Sequence, residues 1–176
     1  MATKKPKLAV IDSRNQEYVK LGQIVVTNHP ENFNLLGIGS CVGLYFYDTK
    51  NRRYMMSHCL LPSYDEMYKP KNLSGKNGIN HAGKYVDQAI EKMIDRFRGL
   101  GSKIQDIQAK IVGGSQIYLD HFNIGQRNVE ISQKMLKDKG IKVTGEDVGG
   151  RTGRSILAYY PDGSILIKKS GKKYKI

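Results

Sequence analysis

At 176 residues the chain can bury a real core, and it reads as one domain. No apolar run approaches the roughly 20 residues of a membrane span, and the basic opening M-A-T-K-K-P-K lacks the apolar stretch of a secretory signal. Two cysteines do not make a disulfide framework and suit a reduced, cytoplasmic protein. A net charge of +13 serves solubility or an anionic partner.

In chain order, residues 1–18 read as a flexible lead-in with one apolar patch at 8–11, and residues 19–176 as a single domain. Residues 23–26 are a strand ended by Asn28-His29-Pro30, and 30–34 a loop leading into a Gly-Ser-Cys turn. Residues 42–47 and 54–61 are paired strands, the second stopped by Pro62, with a polar loop over 63–78. Residues 82–97 form the clearest helix: Ala82, Tyr85, Val86, Ala89, Ile90, Met93, Ile94 and Phe97 fall on one face, with Gly99 and Gly101 where a C-cap belongs.

Ile107, Ala109 and Ile111 alternate as a strand that Gly113-Gly114 stops. A second helix runs over 125–139 with Val129, Met135 and Leu136 inward, and 141–144 is a short strand. Residues 156–160 and 164–168 close the chain as a hairpin around Pro161-Asp162-Gly163. Strands interspersed with two helices predict a mixed α/β domain.

The chemistry gathers around G-I-G-S-C-V-G-L, residues 37–44, and S-H-C-L-L-P, residues 57–62. A two-residue loop at Thr49-Lys50 would set Cys41 directly opposite His58, with Cβ atoms roughly 4.5–5.5 Å apart. A one-residue slip would set it against Cys59 instead. His58 and Cys59 are strand neighbours and point to opposite faces, so Cys41 is the better partner for His58. A thiol beside an imidazole is what a cysteine hydrolase needs. Gly39 and Ser40 supply a turn whose backbone N–H groups can stabilise an oxyanion.

Other motifs fall short. Gly78 to Lys84 has phosphate-loop spacing, but Tyr85 stands where the Mg²⁺-binding Ser/Thr belongs. Gly37-Ile38-Gly39 begins like a dinucleotide fingerprint, but Val42 occupies the third glycine position. The four histidines and two cysteines offer no metal spacing. His29 and His121 read as surface or structural residues. No recognition helix, zinc spacing or aromatic RNA-binding signature accompanies the charge, so a nucleic-acid partner is not expected.

The two motifs at 37–44 and 57–62, with His58 seventeen positions after Cys41, resemble the CheD family of chemoreceptor glutamine deamidases. The likeness continues through G-K-Y-V-D-Q-A-I (83–90), K-I-V-G-G-S (110–115), N-I-G-Q-R-N (123–128) and E-D-V-G-G-R-T-G-R-S (146–155). It covers roughly residues 22–169. It implies a layered α/β sandwich with a mixed sheet, similar to the catalytic domain of deamidating bacterial toxins. It also implies a cytoplasmic chemotaxis protein that hydrolyses receptor glutamine side chains to glutamate. The family's nucleophile and base fall on Cys41 and His58, and the scheme needs no metal or organic cofactor. Implied partners are the cytoplasmic domains of methyl-accepting chemoreceptors and the CheC phosphatase.

One position departs from the pattern. The family carries a threonine six residues before the cysteine, in T-L-G-x-G-S-C, where it helps orient the histidine; this chain has Leu35 there. Asn34, Thr27, Ser57 or a backbone carbonyl is left to orient His58. An unoriented imidazole slows catalysis without removing nucleophile, base and oxyanion donors. Weakened further, such a chain would serve as a docking protein for CheC and receptors.

Overall fold

The computed structural model describes residues 16–64, 83–117 and 122–176. Among the described residues, ten strands form two sheets. β1 (Glu17–Tyr18), β3 (Phe33–Ile38), β8 (Arg154–Tyr159), β9 (Ile165–Lys169) and β10 (Lys172–Lys175) make one, in that order. β2 (Ile24–Thr27), β5 (Arg53–Cys59), β4 (Val42–Asp48), β6 (Gln108–Gly113) and β7 (Lys142–Val148) make the other. Helices α1 (Val86–Gly99) and α2 (Ile124–Asp138) cover the outer face of this second sheet. Both sheets mix parallel and antiparallel pairs. The result is a layered α/β sandwich, as the sequence leads one to expect.

Alternation along β4 builds the two cores. Val42, Leu44 and Phe46 point at the helices and meet Val86, Ile90, Met93 and Phe97 of α1. Tyr45 and Tyr47 point into the layer between the sheets, against Leu35, Ile38, Ile156, Tyr159 and Ile167. Cys41 packs against this inter-sheet cluster too. Burial on both faces explains why β4 reads as an apolar run rather than an alternating one.

Several expectations are corrected. Glu17 and Tyr18, assigned above to the lead-in, pair in parallel with Phe33 and Asn34; residues 1–15 lie outside the described residues. The expected loop at 30–34 is a 3₁₀ turn at Pro30–Asn32 followed by β3. That strand hides from a period-two pattern because a bulge at exposed Leu36 and Gly37 returns both Leu35 and Ile38 to the core. The first helix begins at Val86, not 82, and the lysine-rich end of the chain forms β10 against β9. β7 extends to Val148, and Met135 of α2 is half-buried while Val129 and Leu136 are buried.

The β4–β5 register is also different. Asp48 pairs with Arg53, so the turn spans four residues, 49–52, not two. The Asp48 carboxylate causes this: it accepts Asn51 N–H at 3.0 Å, Asn51 Nδ2 at 2.7 Å and Ser102 Oγ at 2.6 Å. The strands consequently slip by two residues. Gly43, not Cys41, stands opposite His58.

Candidate active site

A slip of two preserves faces. Cys41 lies two residues before Gly43 and one beyond the paired stretch, so strand parity keeps it on His58's side of the sheet. Its packing against the inter-sheet cluster agrees with that side.

The turn at 39–41 is anchored through its carbonyls. Ser115 N–H donates to Gly39 O at 2.8 Å, Asn128 Nδ2 to Ser40 O at 2.8 Å, and Gly114 N–H to Cys41 O at 2.7 Å. Because N–H and C=O of a trans peptide point opposite ways, the N–H groups of Ser40 and Cys41 face away from the Gly39 and Ser40 anchors. Close approach requires glycine on the neighbouring strand. Gly113 has φ +122°, and a Cβ there would stand 2.3 Å from Cys41 O. The turn opens on a cleft of about 260 Å³ whose lining includes Gly39, Ser40, Cys41, Ser115, Gln116 and Ile117.

Cys41 is half-buried at this cleft, and burial raises its thiol pKa, with its own backbone N–H pulling the other way. His58 is buried, and burial lowers its pKa while the neighbouring Val19 backbone raises it in part. Both shifts favour the uncharged forms, so the resting pair is neutral thiol and neutral imidazole. His58 Nε2 is buried with no hydrogen-bond partner among the described residues.

The Val19 backbone, just after β1, lies near enough to raise the His58 pKa in part, and the three candidate side chains are engaged elsewhere. Thr27 Oγ1 accepts His29 N–H, Asn34 Nδ2 donates to Gln16, and Ser57 Oγ contacts Cys59 Sγ at 3.3 Å on the other face. Leu35 is fully buried, and its Cδ1 lies 3.1 Å from where a Cβ on Gly43 would stand. Cys59 is sealed among the helices, its thiol pushed up to about 12 by burial.

Behind the turn lies an ion cluster that the sequence did not disclose. Arg154, with a fully buried side chain, binds Asp147 at 2.9 Å, and Lys169 and Tyr174 join the same carboxylate. Arg154 also donates to Ser115 Oγ, and Ser115 in turn holds Gly39. Burial would raise the Asp147 pKa, but hydrogen bonds from Arg154, Lys169 and Tyr174 outweigh it and hold the carboxyl at about 2. Asn128, within the N-I-G-Q-R-N stretch, is buried and donates to the turn at Ser40 O. No cluster of three or more His, Cys, Asp or Glu suited to a metal occurs among the described residues. His81, His121 and most of the phosphate-loop-like stretch lie outside them. His29 is exposed beside Glu31.

The sequence model for "CheD chemotactic sensory transduction" matches residues 68–169, a span beginning after Cys41 and His58. Curated relatives extend the match upstream. One is a protein of Archaeoglobus fulgidus named "Probable chemoreceptor glutamine deamidase CheD", 39% identical over 77% of this chain and 82% of its own length. The chain belongs to the CheD family. A second CheD, the "Chemoreceptor glutamine deamidase CheD" of Thermotoga maritima, is 33% identical over 89% of this chain and 93% of its own. A third, from Methanococcus maripaludis, is 32% identical over 88% and 95%. Among solved structures, the Bacillus licheniformis hypothetical protein YfiH is similar at a TM-score of 0.42 and 19% identity, covering 70% of this chain and 49% of that one. That likeness is too distant to bear on function.

Proposed function

We propose that this CheD chain hydrolyses glutamine side chains of chemoreceptors to glutamate, with Cys41 as nucleophile and His58 as base. What supports the reading is the Cys41 thiol at a cleft, with His58 on the neighbouring strand, on the side that parity gives both, and its Nε2 buried without a partner among the described residues. Family membership supplies the substrate class, since the curated relatives carry the name chemoreceptor glutamine deamidase.

A neutral pair sets the order of events. Cys41 Sγ attacks the carboxamide carbon as its proton passes to His58 Nε2, a bond that closes only when substrate is bound. The oxyanion meets backbone N–H of the turn at Ser40 and Cys41, with Gly39 keeping the approach clear. His58 returns the proton to the departing ammonia, leaving a thioester. Water, deprotonated by His58, then releases glutamate and the free thiol. The balance is one water consumed and one ammonia released, with no cofactor or metal in the scheme.

Receptor signalling domains are the substrate in this reading, reached from the cytoplasm; among the described residues no helix is long and apolar enough to cross a membrane. The test is glutamine-to-glutamate conversion in receptor cytoplasmic fragments, followed by peptide mass spectrometry and ammonia release. Conversion by the wild type that disappears in Cys41→Ala and in His58→Ala supports the deamidase. A wild type with no Cys41-dependent conversion, yet binding a CheC phosphatase or the fragments, would replace it with a docking protein.

A further inference from the structure

Asn128 is fully buried on α2, and it reaches both halves of the proposed pair. Its Nδ2 donates to Ser40 O at 2.8 Å, one residue before the nucleophile, and to Leu60 O at 3.1 Å, two residues after the histidine. An amide nitrogen carries two hydrogens, and both are spent on these carbonyls. Asn128 Oδ1 has no partner among the described residues. The helix at this point is itself secured, as Ser132 Oγ donates to Asn128 O at 2.7 Å.

The ladder between β4 and β5 stops at Val42 and Cys59, short of the turn that carries Cys41. Beyond that pair the strands no longer fix the distance between turn and β5. The Asn128 amide bridges the gap, donating to one carbonyl on each side. A buried polar side chain with an unpaired acceptor is costly to keep in a core. A leucine would pack the helix without that cost, so the retained amide answers to its two donors.

We infer that Asn128 is a positioning residue that sets the separation and angle between Cys41 and His58. The inference rests on the reading of Cys41 and His58 as the reacting pair. Asn128 touches neither substrate nor the reacting atoms; it acts through the Ser40 and Leu60 carbonyls.

The test compares Asn128→Asp, which keeps the shape but at neutral pH offers no donor, and Asn128→Ser, which is smaller and keeps one. Ser132→Ala is the control, loosening the same helix without touching either carbonyl. Each full-length variant is melted, and assays are run well below its melting temperature. Cys41 alkylation by iodoacetamide is followed against pH, site by site with mass spectrometry, beside wild type and His58→Ala; kcat and KM are measured on receptor fragments.

The expected result is a kcat ten- to a hundredfold lower in Asn128→Asp with KM within about twofold. The Cys41 alkylation profile moves onto that of His58→Ala, while Ser132→Ala keeps the wild-type profile at a lower melting temperature. Folded Asn128→Asp and Asn128→Ser with wild-type kcat and profile would overturn the inference. So would a His58→Ala that alkylates like wild type, because no coupling would exist for Asn128 to set. A wild type without Cys41-dependent deamidation would sink the functional reading, and the alkylation comparison would still decide the role of Asn128.

Discussion

Leu35→Thr restores the residue that the family pattern carries, and the structure makes an unexpected prediction for it. Leu35 is fully buried between the sheets, with its Cδ1 over Gly43, the residue opposite His58. Exchanging leucine for threonine removes two carbons net, about 1.6 kcal/mol at roughly 0.8 per buried methylene. The new hydroxyl adds about 1–3 kcal/mol if it stays unpaired. A total near 3 kcal/mol lowers Tm by roughly 6–12 °C in a domain of this size.

The catalytic gain should be small. In the proposed reading, the role left open by the leucine, holding the imidazole, falls to the Val19 backbone, which lies beside it. We expect kcat within about threefold of wild type, alongside the lower Tm. The assay pairs a thermal melt with the rate of glutamate formation on receptor fragments. A kcat raised tenfold or more would refute the reasoning and show that the Val19 backbone does not orient His58 for catalysis.

Three further predictions concern pH and the buried ions. Because burial lowers the His58 pKa, the imidazole stays a free base below its usual 6.5, and the acid limb of kcat/KM should lie below pH 6.5. An acid limb above 6.5 would show that the controlling group is not a buried imidazole. The raised thiol predicts Cys41 alkylation that keeps climbing past pH 9; a plateau near neutrality would mean a preformed thiolate. Asp147→Asn strands buried Arg154 and should cost about 3–5 kcal/mol in denaturant unfolding. In the wild type the Asp147 carboxyl is held below its unfolded value, so its contribution is present above about pH 4 and lost as pH falls toward 2. An acid-unfolding midpoint unmoved by the substitution would contradict this.

The legible parts of the chain were those in which one residue pattern meets one environment. The α1 face from Val86 to Phe97 was readable because every inward position is apolar at helical spacing. Which residues of β4 and β5 share a face was readable from parity, since a two-residue slip leaves side chains on the same side. The slip itself was not: it depends on the Asp48 carboxylate finding Ser102, 54 positions away. β3 escaped notice because its bulge breaks the alternation. Asn128 meets the turn and β5 through the Ser40 and Leu60 carbonyls, contacts that no residue type announces. The Arg154–Asp147 cluster joins charges that, read singly, look like surface residues.

The makeup of the cleft has a consequence for the direction of the reaction. Among the described residues its lining runs from Gly37 through Gly39, Ser40 and Cys41 to Ser115, Gln116, Ile117 and Gly125, without a lysine or arginine. In the proposed reaction an uncharged carboxamide enters such a place more cheaply than the anionic glutamate that replaces it. The product would then be held less well than the substrate, and a receptor already converted would make a poor competitor for one that is not.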